Sequence, residues 1–372
     1  MWIIGTILVT LAALCLLLQI VTLLVVAIRS KWHPVSTIET WYDEGVTILR
    51  PVAGLENNLE RTLTSAFTLD HPKKEIIFCV SRDNDPVIPL VEKLMAQYPD
   101  VPSQLLIGDN PISPNPKLNN LIKGWKVAQY DWVVMTDSNV LMPPDYIAQL
   151  FARFKNDTGL VASPPLGTEP ENFAADVEAA FLNSYQARWQ LCSDTLGNGF
   201  AQGKTLFWRR EVLDNAGGIE ALASEIAEDA AATKVVRSQG LKVRLSAMPF
   251  AQPLGEKQFQ PVWSRQVRWA KLRRDSFAFF FYIEILSGSV FPLLCLLLAA
   301  CLGAVSFTSI LWFMLVWYGV EFITTAYVGW PMSIRQAIAI FYRDILLVAV
   351  WFSAFGKGGY QWQGHKVDIG KK

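Results

Sequence analysis

The sequence is short of charge and of imidazole. Across 372 residues only 18% are Asp, Glu, Lys or Arg, against roughly 25% in an ordinary soluble domain. The 33 basic residues equal the 33 acidic ones, and no acidic or basic tail appears, so nothing offers an electrostatic footprint for nucleic acid. The three histidines, His33, His71 and His365, lie outside every motif below, which argues against histidine-based catalysis. Five cysteines, Cys15, Cys79, Cys192, Cys295 and Cys301, are odd in number and never spaced C-x-x-C. A disulfide framework and a structural zinc site are thereby disfavoured.

What the chain has instead is apolar sequence, 52% of its residues, gathered at its two ends. Trp2 to Ile28 contains no charged residue and one amide, Gln19; these 27 residues exceed the about 20 needed to cross a hydrocarbon core. The positive n-region, shorter apolar stretch and small-residue cleavage site of a signal peptide are missing, so a retained anchor is expected. Arg29 and Lys31 follow at once, which puts the next segment in the cytosol by the positive-inside rule. Three further runs of near-spanning length are Ile283–Val305, Ile310–Val328 and Ala337–Phe355. Glu284, Glu321 and the pair Arg343–Asp344 lie in or beside them, positions that are costly unless they face protein or a wet cavity. Four crossings would set the C-terminus opposite the polar middle, whereas Lys357, Lys366, Lys371 and Lys372 favour the cytosolic side. The number of crossings stays open, with one C-terminal segment re-entrant or interfacial as the alternative. The expected organisation is an anchor over residues 1–30, an α/β domain over 44–275, membrane or interfacial helices over 276–356 and a polar tail over 357–372.

In the middle, β-rich runs at Val46–Leu49, Glu75–Val80, Gln104–Ile107 and Trp132–Thr136 alternate with helical spacing around Leu59–Leu69, Val87–Gln97 and Leu118–Ala128. Such alternation predicts crossover units and a mainly parallel, Rossmann-like sheet, whose ligands bind beyond the carboxyl ends of the strands. The residues there are polar: Arg50-Pro51 after the first strand, Asp83 and Asp85 after the second, Asp137-Ser138-Asn139 after the fourth. A carboxylate at a strand end suits Mg²⁺ or Mn²⁺ carrying phosphate, although Asp137 alone would more simply be a cap or turn residue. Asn115-Pro116-Lys117 opens a helix whose N–H groups and lysine could face an anion, or is a plain Asx-rich helix start. Glu228-Asp229 heads a helical run to Val236, where one carboxylate could act as general base or both could be solvated helix-start charges. Arg265-Gln266-Val267-Arg268-Trp269 precedes Lys271, Arg273 and Arg274. Its arginines suit a diphosphate, and a juxtamembrane patch for anionic lipid is compatible with the same residues.

One near miss is Asn198-Gly199-Phe200-Ala201-Gln202-Gly203-Lys204-Thr205, which ends like a phosphate-binding G-x-x-x-x-G-K-[ST] loop. Asn198 replaces the first glycine and no buried strand precedes it, so the loop is rejected as a P-loop; its glycines are read as permitting a tight, mobile loop beside the site.

In this order and spacing the segments resemble the membrane GT-A glycosyltransferases, and among them the ceramide glucosyltransferase family. The resemblance is carried by Leu49-Arg50-Pro51, Asp85-Pro86, Asn115 to Leu121, Asp137-Ser138, Ala216-Gly217-Gly218, Ile226 to Asp229, Arg265 to Arg273 and Phe341-Tyr342-Arg343-Asp344. It implies a GT-A domain with transmembrane helices at both ends and an inverting, metal-assisted transfer of a sugar, glucose first, from a UDP-sugar to a lipid hydroxyl. Asp229, with Glu228 beside it, would be catalytic, Asp229 taking the proton of the acceptor. Arg50, Pro51, Asp85, Lys117, Asn119, Asp137, Arg265, Arg268 and Trp269 would hold the donor. Gln186, Gly203 and Trp269 would lie on the acceptor side, and Asp137 with Asn139 would hold Mg²⁺ or Mn²⁺. Asn139 departs from the second Asp of the usual D-x-D, and Gln186 stands where animal ceramide enzymes carry His. Ceramide is the expected acceptor, with diacylglycerol or a hopanoid lipid as alternatives; a non-catalytic nucleotide-binding membrane scaffold and a polysaccharide synthase are the other classes weighed. A cytosolic catalytic domain in a multi-pass protein of the bacterial inner membrane is expected.

Overall fold

The computed structural model describes residues 2–32, 41, 43–356, 360–362 and 365–367. His33, Lys357, Lys371 and Lys372 lie outside the described residues. The chain divides into two compact units, one made of Trp32–Leu166, Ser193–Gly255 and Gly359–Lys372, the other of Met1–Lys31, Gly167–Cys192 and Glu256–Gly358.

The first unit is built on a seven-stranded sheet. Its strands are β1 (Val46–Pro51), β2 (Lys74–Val80), β3 (Ser103–Ile107), β4 (Trp132–Thr136), β5 (Thr158–Ala162), β6 (Thr205–Arg209) and β7 (Lys242–Leu245). They lie in the order β3-β2-β1-β4-β6-β5-β7. β1 pairs in parallel with β2 and β4, β2 with β3, and β5 with β7. Only β6 runs against its neighbours, with Thr136 opposite Thr205 on β4 and Val161 opposite Phe207 on β5. The expected strands and helices of the first half are therefore present, in a sheet that is mostly parallel rather than wholly so.

Central strands of a parallel sheet are covered on both faces and need not alternate in polarity. Accordingly β1 and β4 are almost wholly buried, whereas β3, at the sheet edge, stays partly exposed. Alternate side chains choose the face. Val46, Ile48, Ile76, Phe78, Trp132 and Val134 pack with Leu59, Leu63 and Phe67 of helix Leu59–Phe67 and with Val91 and Leu94 of helix Ile88–Gln97. On the other face helix Pro116–Val127 comes in closely at Gly124, where an added Cβ would stand 2.8 Å from Cys79 Sγ and 3.1 Å from Leu49 Cδ2.

The second unit is helical. Helices Trp2–Arg29, Thr308–Tyr327 and Ile334–Ser353 are each long and apolar enough to cross a membrane, as a multi-pass membrane protein requires. A shorter pair, Ala278–Ser287 and Val290–Cys301, is bent by 53° at its break and counts as a fourth span if taken as one. Its core includes Ala12, Val177, Phe181, Val262, Leu296, Trp317, Ile340 and Leu347.

The ionisable residues among the apolar runs are paired. Arg343 lies 2.7 Å from Glu321 and 2.6 Å from Asp344 and donates to Ser184 Oγ at 2.9 Å. Gln19 Nε2 donates to Glu321 at 3.0 Å, and Tyr318 OH donates to Asp344 at 3.2 Å. Glu284 takes two bonds from Arg273, at 2.6 and 2.9 Å, and one from Tyr185 OH at 2.8 Å. These charges face protein, which resolves the cost they would carry in lipid.

Candidate active site

The site in the sheet unit is built around the turn after β4, where Asp137-Ser138-Asn139 leaves Thr136. Arg50, at the end of β1, sets that turn. Its Nη2 donates to the carbonyls of Asp137, Ser138 and Val140 at 3.2, 2.8 and 3.4 Å, and Thr62 Oγ1 donates to Ser138 O at 2.6 Å. Burial pulls the guanidinium down to about 10, against the raising influence of Tyr146 and Asp137, so it remains a cation at neutral pH. Arg50 is fully buried, its Nη2 is spent on these carbonyls and its Nη1 lies 3.6 Å from Met142 Sδ, so here it shapes the loop. Pro51, half-buried, ends the same strand.

Because β6 runs antiparallel to β4, the residue before it arrives beside Asp137. Lys204 O accepts from Asp137 N and from Thr136 Oγ1, both at 3.1 Å. Its Nζ stands 2.9 Å from Asp137 Oδ2 and donates to Asn139 Oδ1 at 3.1 Å. From the other side Lys117 Nζ stands 2.7 Å from Asp137 Oδ1 and 2.8 Å from Glu228 Oε1, and it also donates to Gly203 O. Glu228 Oε2 accepts from Asn115 Nδ2 at 2.7 Å. Asp229 Oδ2 accepts from Gly203 N at 2.9 Å and its Oδ1 from Ala230 N at 2.8 Å. A Cβ at Gly203 would come within 2.6 Å of Glu228 Oε1, so a side chain there would displace that carboxylate from Lys117 and Asn115.

The two neighbouring acids and their partners are driven in opposite directions. Burial alone would raise Asp137, but the ammonium groups of Lys117 and Lys204 outweigh it and hold the carboxyl down at about 2. Lys117, which burial would lower, is raised by Asp137 and Glu228 and stays charged. Asp229 is pushed up to about 7, first by burial and then by the negative charge of Glu228, with Lys117 and the two N–H donors pulling back. Glu228 has both oxygens engaged and serves as the anchor between Lys117 and Asn115. Asp229, half-buried at the head of helix Glu228–Ser238, is the acid set to exchange a proton near neutrality.

Other expected donor residues hold loops. Asp85 Oδ1 accepts from Gly54 N at 2.9 Å and Val87 N at 3.0 Å, tying the loop after β1 to the one after β2; Gly54 sits at φ 67°, where glycine is favoured. Asn119 Oδ1 accepts from the N–H groups of Ile112 and Ser113, both at 3.0 Å, and its Nδ2 donates to Ser113 O at 2.9 Å. The helix start at Asn115 takes the plainer of its two readings, an Asx-capped helix start. Asn115 Oδ1 itself caps Lys117 N at 2.9 Å and Leu118 N at 3.2 Å.

Nor do the expected metal ligands, Asp137 and Asn139, converge on space for an ion. Both oxygens meet Lys204, and Asp137's other oxygen meets Lys117. Among the described residues no group of three or more His, Cys, Asp or Glu is placed to hold a metal. As disposed, these side chains do not fit Mg²⁺ or Mn²⁺, which would have to share its ligands with an ammonium.

In the helical unit, Arg265, Arg268 and Trp269 lie on helix Phe259–Ser276. Arg265 is ion-paired with Glu178, and Gln266 Oε1 accepts from Gln186 Nε2 at 3.0 Å. Gln186 is buried within Phe181–Ala187, a helical stretch with wider turns than its flanks, a distortion frequent at functional sites.

Compared with known proteins, the chain matches glycosyl transferase family 21 over residues 6–372. It belongs to that family. Among curated relatives, this family 21 chain is 29% identical over 231 residues to ceramide glucosyltransferase 1 of Caenorhabditis elegans, 62% of this chain and 50% of that protein. It is 50% identical over 101 residues to the ceramide glucosyltransferase of Komagataella phaffii, 26% of this chain and 20% of the relative. It thus spans half or less of the length of these relatives. Among solved structures it is similar to the mannosyltransferase PcManGT from Pyrobaculum calidifontis in complex with GDP-Man and Mn²⁺. The TM-score is 0.53 at 16% identity, over 90% of this chain and 99% of that one. At that identity the likeness shows the fold alone.

The structure brings Lys117, Asp137, Asn139, Gly203, Glu228 and Asp229, expected in separate donor, metal, acceptor and catalytic roles, into one cluster. The sequence reading passed over two of its members. It missed Asn115 as a side chain reaching Glu228 and Lys204 altogether. The signal for Lys204 was the Gly-Lys-Thr ending of the rejected phosphate loop: the wrong motif, carrying the relevant residue.

Proposed function

We propose that this family 21 protein is an inverting GT-A glycosyltransferase that moves a sugar, glucose first, from a UDP-sugar to the hydroxyl of a membrane lipid, ceramide first. The observation that carries the reading is Asp229, a carboxyl raised to about 7 beside a cluster of ammonium groups at the carboxyl end of β4. In the reaction the lipid hydroxyl gives its proton to Asp229 as its oxygen bonds to the anomeric carbon. The bond from that carbon to the diphosphate breaks, and UDP departs with the electron pair. Charge developing on the diphosphate is met by the positive end of the cluster rather than by water. Glu228 and Gly203 orient the base: one raises its proton affinity, the other fixes an oxygen through its N–H.

Roles for Arg265, Arg268, Trp269 and Gln186 in holding donor and acceptor rest on the resemblance of those segments to the ceramide glucosyltransferases. On the same footing, residues 44–275 are the catalytic domain and 1–30 and 276–356 anchor it; Arg29 and Lys31 after the first apolar run support a cytosolic side, and a bacterial inner membrane is the compartment proposed. A lipid acceptor accounts for the attachment, since confinement to the membrane raises the effective concentration of enzyme and substrate.

The test is transfer of label from UDP-glucose to ceramide and to diacylglycerol, offered in parallel to membranes carrying the protein. Labelled glucosylceramide is expected. Asp229→Asn should lower turnover by about 10²–10⁴-fold, the usual contribution of a general base, with UDP still bound. Wild-type turnover in that variant would remove Asp229 from the mechanism. Label in diacylglycerol alone would change the acceptor, and no labelled lipid with any UDP-sugar would end the transferase reading.

A further inference from the structure

Where the resemblance calls for a divalent ion, the chain has put a lysine. Asp137 Oδ2 and Asn139 Oδ1, the oxygens a metal would take, stand 2.9 and 3.1 Å from Lys204 Nζ. The charges are matched to that occupant: Lys117 and Lys204, two ammonium groups, face the two carboxylates of Asp137 and Glu228, and Asn139 adds no charge.

Lys204 is also held by its backbone, its carbonyl accepting from Asp137 N and Thr136 Oγ1 at 3.1 Å each. An ammonium has three N–H donors. Lys117 spends its three on Asp137, Glu228 and the Gly203 carbonyl. Lys204, among the described residues, spends two, on Asp137 and Asn139, and 13% of its side chain remains exposed. One donor on an anchored cation is thus left for an anion from outside, and lysine is a common phosphate binder as a point charge.

We propose that Lys204 is a diphosphate-binding residue that serves as a built-in cation in the position of a divalent metal ion, an inference that rests on the transferase reading above. The donor's diphosphate then replaces water at the third N–H of Lys204, and its binding does not require Mg²⁺ or Mn²⁺.

The experiment is calorimetric titration of the full-length protein in detergent with UDP, in EDTA and again in Mn²⁺, alongside bound Mn²⁺ read by electron paramagnetic resonance. Wild type should bind UDP in EDTA within about threefold of its affinity in Mn²⁺. Lys204→Gln should weaken metal-free binding by about tenfold to a hundredfold, the range of one charge-assisted hydrogen bond, and Lys204→Arg should retain most of it. Asn139→Asp with Lys204→Gln should gain bound Mn²⁺ and recover UDP affinity only in its presence.

Wild-type UDP binding that is lost in EDTA and restored by Mn²⁺ would overturn the proposal, as would Lys204→Gln binding UDP like wild type without metal. Should Lys204→Gln misfold by circular dichroism, the wild-type comparison and Lys204→Arg still decide. Glucosylated lipid made alongside metal-dependent UDP binding would refute this inference and leave the transferase reading standing. Metal-free UDP binding without any lipid product would do the reverse. Failure to bind UDP under either condition would remove both.

Discussion

If Asp229, raised to about 7, is the base of the proposed transfer, the rate should carry its titration. If Asp229 must be ionised to take the acceptor's proton, about a tenth of the molecules are competent at pH 6 and about a hundredth at pH 5, with a plateau above neutrality. The perturbation that tests the cause is Glu228→Gln. After burial, the charge of Glu228 is the largest influence holding the Asp229 carboxyl up. Removing a neighbouring anion makes ionisation easier, so the acidic limb should move to lower pH. Lys117, which loses a carboxylate partner in the same change, pulls it further the same way. The assay is the initial rate of label transfer between pH 5 and 8.5, at saturating donor and acceptor, for both proteins. Stability supplies a second reading of the same group. A carboxyl raised in the folded chain destabilises it as pH climbs from about 4, the unfolded value, to about 7, and Asp229→Asn removes that burden. The variant should melt higher than wild type at pH 8 and alike at pH 4. A wild-type rate that stays flat from pH 5 to 8, or a Glu228→Gln limb that does not move, would refute the assignment of Asp229 as base.

Three further substitutions probe the scaffold. Gly203→Ala sets a Cβ 2.6 Å from Glu228 Oε1 and 3.2 Å from Lys117 Nζ; it should cost about 1–3 kcal/mol by overpacking and reduce transfer, read by thermal melting and turnover. Arg50→Met removes the cation whose Nη2 holds the carbonyls of Asp137, Ser138 and Val140; a loss of about 2–4 kcal/mol is expected in denaturant titration, and unchanged stability would contradict the loop-shaping role. Arg343→Leu strands Glu321 and Asp344 without their common cation. It should destabilise the helical unit by about 3–5 kcal/mol in detergent unfolding, with partial recovery when Glu321→Gln is added.

The first half of the sheet was legible because its strands are short apolar runs separated by amphipathic helices, and the structure has β1 to β4 and their helices where that spacing indicates. β6 was not legible. Leu206-Phe207-Trp208 looks like any buried strand, and its reversed direction depends on a long-range pairing with β4 and β5 that no local pattern encodes. The acidic members of the cluster were visible because carboxylates at strand ends and helix starts stand out in the sequence. Arg50 and Asn119, expected at the donor, have as partners backbone carbonyls and N–H groups far along the chain or within a loop. Polarity near a strand end looks the same whether it serves a ligand or a turn, and only burial tells them apart. The charges of the C-terminal apolar runs read as an expense in the sequence; the structure has Arg343, Glu321 and Asp344 answering one another.

The reversed direction of β6 has a consequence for how such a site can change. A wholly parallel sheet offers only strand ends along its ligand edge, so each loop there leads away into a helix. A strand threaded backwards between two such ends delivers its beginning to that edge, and with Thr205 opposite Thr136 the residue at 204 is a neighbour of residue 137 by register alone. Its side chain can therefore be exchanged without rebuilding the Asp-Ser-Asn turn, the helix at Lys117 or the helix start at Asp229. On the proposed reading of Lys204, the source of positive charge is then an interchangeable part mounted on an otherwise fixed frame, and members of one family that share every acid can differ in whether their cation is bound or built in.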